Sequence, residues 1–349
     1  MRRLPWFAGA GSTHLAASPD YPLPTSPCTQ GEKQASPPDR LRVFHGTTTM
    51  PAAPIAFATP HHASRWQRWL VFSPGARIAF FAVTMAILSF AAHAVVAALG
   101  WTARTAGPLR FALAALAMEL LPALLAYAVL VKGVERRPVG ELAARDAPAF
   151  GVGGFAAGVA LFSAVVGVLW LAGSYHVLGT NPHADWLPQV LVAGIGAGIA
   201  EEIITRGVLF RIAEEGLGSG WALAISALFF GGAHIFNPGA TAWSSAAIAI
   251  EAGVLLALLY LVTRSLWTCI GLHAGWNIAQ GTVYGIPVSG TYADGWLVST
   301  RSGPDWLSGG AFGAEASVVA LVLCSLCSLA LLVVALRRHA FVPPGWRRA

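Results

Sequence analysis

The sequence predicts an all-α, polytopic integral membrane protein with about eight transmembrane helices behind a disordered N-terminal tail. Three observations carry that prediction. First, 56% of the 349 residues are hydrophobic and only 11% are charged, whereas soluble domains carry about 25% charged residues. Second, the apolar runs 78–99, 111–131, 151–173 and 316–336 each reach the roughly 20 residues that span a bilayer. Lipid offers backbone groups no hydrogen-bond partner, so such runs must be helical. Third, basic residues segregate. With the N-terminus cytoplasmic, the outside segments hold only Arg104, Arg110 and Arg301, and the other helix-end arginines fall inside, as the positive-inside rule expects. The net charge of +6 therefore reports topology, and no nucleic-acid partner is implied.

Residues 1–64 are rich in Pro, Ser, Thr and Ala. They show no periodicity and no apolar signal-peptide core, so a disordered extension is expected. Met50, just before the juxtamembrane "SRWQRW", is an alternative start of translation. The transmembrane domain is read as 65–341, its catalytic core as 187–290, and 342–349 as a cytoplasmic tail. Trp66 and Trp69 interleave with Arg65 and Arg68, a pattern suited to an interfacial anchor.

The expected spans are 78–99, 111–131, 151–173, 187–211, 220–236, 244–263, 266–285 and 315–336. The first three carry little polar chemistry: His93 is read as packing, and Glu119 as bonding backbone groups freed by Pro122. The next four hold Glu201, Glu202, Arg206, His234, Glu251, His273 and Asn277. Glu251 is read as a structural or supporting group, and Glu214 and Glu215 as residues of a solvated turn. Loop 286–313 is rich in Gly, Ser and Trp. The last span reads as a plain membrane crossing, and its Cys324 and Cys327 as packing. Cys28 and Cys269 are isolated, and no internal repeat is visible.

Ionisable side chains at membrane depth are rare and mark function by default. Glu202 and Arg206 are four apart and can pair along one helix face. Glu201 is turned about 100° from Glu202 and lacks a local cation. At about 1.5 Å per residue, Glu201, His234, His273 and Asn277 lie roughly 15, 21, 11 and 17 Å from the cytoplasmic boundary. Three helices thus bring polar groups to the middle of the membrane. A carboxylate in an apolar cavity can take a proton from water, and a histidine beside it can orient that water. A second histidine and an amide can donate to the oxyanion formed when water attacks a peptide carbonyl. Together these parts describe amide hydrolysis.

At these residues the chain resembles the CAAX protease and bacteriocin-processing (CPBP or Abi) family of intramembrane glutamic-type proteases. Three ordered motifs carry the resemblance: EExxxR at Glu201, Glu202 and Arg206; FxxxH at Phe230 and His234; HxxxN at His273 and Asn277. It covers about residues 187–290 and departs at Thr205, where family members often place an aromatic residue. The resemblance implies an endopeptidase with Glu201 as general base and His234 helping to activate water. His273 and Asn277 would form the oxyanion site, with Glu202 and Arg206 holding it together and Phe230 packing in support. Its implied partner is a peptide or protein in or near the bilayer, and its implied setting a bacterial inner membrane with both termini cytoplasmic. Family precedents include C-terminal processing of prenylated proteins and maturation of bacterial peptides. No obligatory cofactor follows. The rival readings are a metal-dependent version, in which the two histidines and a glutamate bind a divalent cation, and a proton-coupled transporter using the cluster as a relay.

Overall fold

A computed structural model describes residues 56–102 and 106–348. Most of the N-terminal extension, Cys28, Met50 and Arg104 lie outside the described residues. Chain order within them is α1 (Arg65–Leu70), α2 (Pro74–Ala98), α3 (Pro108–Ala128), α4 (Val152–Leu171), α5 (Ala197–Glu202), α6 (Arg211–Ala233), α7 (Ala242–Ile248), α8 (Leu255–Thr263), α9 (Leu266–Ile278), α10 (Asp305–Ser308) and α11 (Val318–Arg337). Ser64 caps α1 reciprocally with Gln67, and Ser73 caps α2 through the Ala76 amide. Each thereby satisfies amides that the first helical turn leaves unpaired. Trp66 and Trp69 both project outward.

Among the described residues, six stretches are long and apolar enough to cross a membrane. One of them, Gln189–Phe236, has 48 residues and folds back at Gly218, where φ is 80° and ψ 168°. A side chain there would meet the Val342 carbonyl at 2.7 Å, so only glycine permits the reversal. This stretch accounts for two of the eight expected crossings. The remaining one, α9 with its continuation Ala279–Val283, is not among the six and carries His273, Asn277 and Gln280.

Close backbone contact fixes α9. Gly154 and Gly158 on α4 oppose Gly271 and Gly275 on α9. A Cβ at Gly158 would lie 2.1 Å from the Leu272 carbonyl oxygen, and one at Gly275 2.3 Å from that of Phe155. These are small-xxx-small stripes, which draw membrane helices together by van der Waals packing. Glu201 and Glu202 close a short α-helical piece between two π-wound stretches, Gln189–Gly196 and Ile203–Phe210. Such widened turns recur at functional positions.

One end of the bundle is held by buried charge. Glu135 accepts from Arg77 at 2.6 Å, Arg137 at 2.8 Å and Arg211 at 3.0 Å, and Glu141 pairs with Arg137 at 2.6 Å. Burial alone would lower the Arg137 pKa, but its bonds to Glu141 and Glu135 raise it. The reading of Glu214 and Glu215 as solvated is corrected here. Glu214 is buried under a two-point pair with Arg264 at 2.5 and 3.0 Å, and Glu215 pairs with Arg77 and, at 3.1 Å, Arg211. Arginines near each carboxylate draw them out of water. Residues 342–348 dock on the same turn, where Ser219 and Val342 exchange bonds of 2.9 and 2.8 Å.

The opposite end carries elements the sequence did not announce. Strands β1 (Tyr175–Thr180) and β2 (Leu297–Arg301) pair antiparallel, with a register break between Val177 and Gly179. The connection after α9 folds back into the bundle: Gln280 Nε2 donates to the Pro287 carbonyl at 2.6 Å, and the Ser289 amide to Glu315 Oε1 at 2.6 Å.

Candidate active site

The structure brings Glu201, His234, His273 and Asn277 onto one cavity of about 380 Å³, which runs to Pro188, Gln189 and Tyr292 near the loop-rich end. Glu201 Oε2 stands 4.0 Å from Nε2 of His234 and 4.0 Å from Nε2 of His273. That oxygen is buried without a hydrogen-bond partner.

The tautomers follow from the partners. Nδ1 of His234 lies 2.7 Å from the Phe230 carbonyl oxygen, which can only accept, so this nitrogen carries a hydrogen. Nδ1 of His273 lies 3.1 Å from Glu202 Oε1. That same oxygen accepts from Arg206 Nη1 at 2.9 Å, which keeps Glu202 an acceptor, so His273 also donates from Nδ1. Both imidazoles therefore turn Nε2 toward Glu201. In the neutral form each offers a lone pair there.

Glu202 and Arg206 are fully buried and anchor the surroundings. Arg206 also donates to Thr205 Oγ1 at 2.9 Å and to the Ala252 and Gly253 carbonyls at 3.0 and 2.9 Å. The motif helix is thereby tied to the stretch after α7. Phe230 is more than packing, since the Arg206 guanidinium lies 4.9 Å above its ring and the His234 ring 4.7 Å away. Thr205, in the place of an aromatic residue, bonds back to the Glu201 carbonyl at 2.5 Å. Asn277 Nδ2 spends one hydrogen on the Ala193 carbonyl at 2.7 Å and keeps the other. Among the described residues, no group of three or more His, Cys, Asp or Glu is arranged to hold a metal ion.

A second, apolar cavity of about 220 Å³ leads sideways from Glu201 and His234 past Met85, Ile204 and Phe229. Behind His234 a smaller cavity of about 40 Å³ holds the buried carboxyls of Glu251 and Glu315.

Glu119 corrects another expectation. Its Oε2 has no hydrogen-bond partner, and the side chain lines the large cavity with Glu201 and His273 in place of bonding backbone freed by Pro122. His93, read as packing, is exposed and bonds the Ser89 carbonyl of its own helix at 2.8 Å. Sequence reasoning also missed Glu315, which lies in "FGAEAS" with no spacing relation to the motifs. Glu119 did carry a signal: it is the one acidic or basic residue inside the 111–131 run.

Residues 183–279 match the family described as type II CAAX prenyl endopeptidase Rce1-like, a range that includes all three motifs. No curated protein and no solved structure is significantly similar to the chain. Among the described residues six stretches are long and apolar enough to cross a membrane, two of them inside the matched region, and residues 183–279 are an Rce1-like domain of the CAAX prenyl endopeptidase kind, which indicates a membrane protease.

Proposed function

We propose that this protease hydrolyses a peptide bond in or beside the membrane with water activated by Glu201. The observation that carries the reading is the 4.0 Å spacing of Glu201 Oε2 from both histidine Nε2 atoms across a cavity. A water between them donates one hydrogen to Glu201 and one to His234 Nε2, and its lone pair is left for the substrate carbonyl. Glu201 takes the proton as the water oxygen bonds to carbon. The resulting oxyanion is met by the free hydrogen of Asn277 Nδ2 and by Nε2–H of His273 in its imidazolium form, which Glu202 stabilises at Nδ1. Glu202, Arg206 and Phe230 act by holding these groups in place.

The apolar side cavity suits the lipid-facing part of a substrate. By the positive-inside rule the arginine-rich end is cytoplasmic, so the large cavity opens on the outer face of a bacterial inner membrane. A direct test compares peptide termini in membranes and medium from cells expressing wild type or Glu201→Ala. Cleavages present with wild type and absent with the variant are expected; identical profiles would sink the mechanism.

A further inference from the structure

We infer that Glu119 is a further catalytic residue, the general acid that protonates the leaving amine, a role that rests on the hydrolytic reading above. Glu119 and Glu201 face the same cavity from different helices, and each has a buried Oε2 with no hydrogen-bond partner. Unpaired buried carboxylate oxygens are expensive and persist where something else uses them. The neighbouring backbone is shaped to the group: a Cβ at Gly196 would lie 2.4 Å from Glu119 Oε2. Glycine at 196 therefore opens the wall on which this carboxyl rests.

Gly196 precedes Glu201 by five residues, about 7.5 Å along the helix at roughly 1.5 Å per residue. Glu119 therefore meets the motif helix more than one turn before Glu201, on the same cavity. The charged or titratable groups facing Glu119 are Glu201 and His273, with His234 across the same cavity. Two carboxylates facing one cavity repel each other, and the pair is held at lower free energy with a single proton. Glu201 lies against both imidazoles and is the better place for the charge. Glu119 lacks such partners and holds the proton.

The step balances with these two groups. Water gives one proton to Glu201 while its oxygen bonds to the carbonyl carbon, and the carbonyl π pair moves to oxygen. When the oxyanion collapses, the C–N bond breaks and its electron pair stays on nitrogen. Nitrogen takes the proton from Glu119, which becomes the carboxylate. The proton on Glu201 then passes through cavity water to Glu119, and the site is reset with one water consumed.

Infrared difference spectra of the full chain in lipid nanodiscs test this without any substrate. A carboxylic-acid carbonyl stretch that shifts in D2O is expected at neutral pH in wild type, and is expected to be missing from Glu119→Gln. An unchanged spectrum overturns the assignment. The second test uses a peptide cleaved by wild-type but not Glu201→Ala membranes, made as the amide and as the matching ester. Alkoxide departure needs less help from an acid than amine departure. Glu119→Gln is therefore expected to slow the amide by about 10²–10⁴-fold and the ester far less, with Glu119→Asp recovering part of the amide rate. Equal losses on both substrates would make Glu119 merely structural and refute the proposal. Retained cleavage in Glu201→Gln would instead refute the hydrolytic reading itself.

Discussion

Replacing Glu202 by glutamine is expected to remove stability, whereas replacing Glu201 by glutamine removes activity. Glu202 is wholly buried, and its Oε1 accepts from both Arg206 and His273. Removing one partner of a buried ion pair destabilises by about 3–5 kcal/mol, because the other charge is left uncompensated. Arg206 would still hold Thr205 Oγ1 and the carbonyls of Ala252 and Gly253, which argues for the lower end, about 3 kcal/mol. Glu201 is different: its side chain is 31% exposed, and its nearest charged partners are imidazoles at 4.0 Å. Glutamine there breaks no close pair. It removes the proposed general base, which is worth about 10²–10⁴ in rate. Reversible unfolding of each variant in detergent, beside cleavage per folded molecule, separates the two effects. If Glu202→Gln unfolds like wild type while Glu201→Gln is unstable and still active, the division of labour inferred from burial is wrong.

Asn277→Ala is expected to lower kcat by about 10²–10³ through loss of an oxyanion donor, and stability by about 1 kcal/mol through the lost bond to Ala193; rate and melting measurements on one preparation check both. Gly158→Leu should push α9 away from α4 and reduce stability by at least about 1–3 kcal/mol, with activity falling as His273 and Asn277 shift. Gly153→Leu, where a Cβ meets nothing within 4 Å, should unfold and cleave like wild type. Arg211→Met removes one of three arginines on Glu135 and is expected to destabilise by about 3–5 kcal/mol while cleavage per folded molecule is kept. Cleavage should survive exhaustive chelation; loss of activity restored by zinc would replace the Glu201-activated water with a metal-bound one.

The membrane crossings were legible because an apolar run of membrane length permits only a helix. All eight spans were read from such runs, 266–285 included, although α9 with His273, Asn277 and Gln280 is too polar to stand among the six long apolar stretches of the described residues. Glu202 and Arg206 were legible as a pair because four residues on one helix bring side chains together. Their link to His273 was not, since it joins groups 71 positions apart. The same limit hid the charged end of the bundle. Glu214 and Glu215 look like a solvated turn in sequence, and only the approach of Arg264 from 50 positions away and Arg77 from 138 shows why they are enclosed. Strands β1 and β2 were missed because they are short and lie between helices where hydropathy dominates the reading. Glu119 was seen and assigned locally to Pro122, although its real neighbour is a glycine on another helix.

The distribution of satisfied and unsatisfied carboxylates separates the two ends of the molecule. At the arginine-rich end Glu135, Glu141, Glu214 and Glu215 all meet guanidinium groups, an arrangement that holds helices in register and leaves no free acceptor for chemistry. Around the cavity the order is reversed. Glu119 Oε2 and Glu201 Oε2 have no partner, and even Glu202, bound through Oε1, leaves Oε2 unpaired. A protein able to clamp four carboxylates with arginine at one end has the means to clamp these as well. That it leaves Glu119 and Glu201 without a guanidinium among the described residues, beside two imidazole Nε2 atoms, argues that this end of the bundle is not built, as the other is, to hold helices in register.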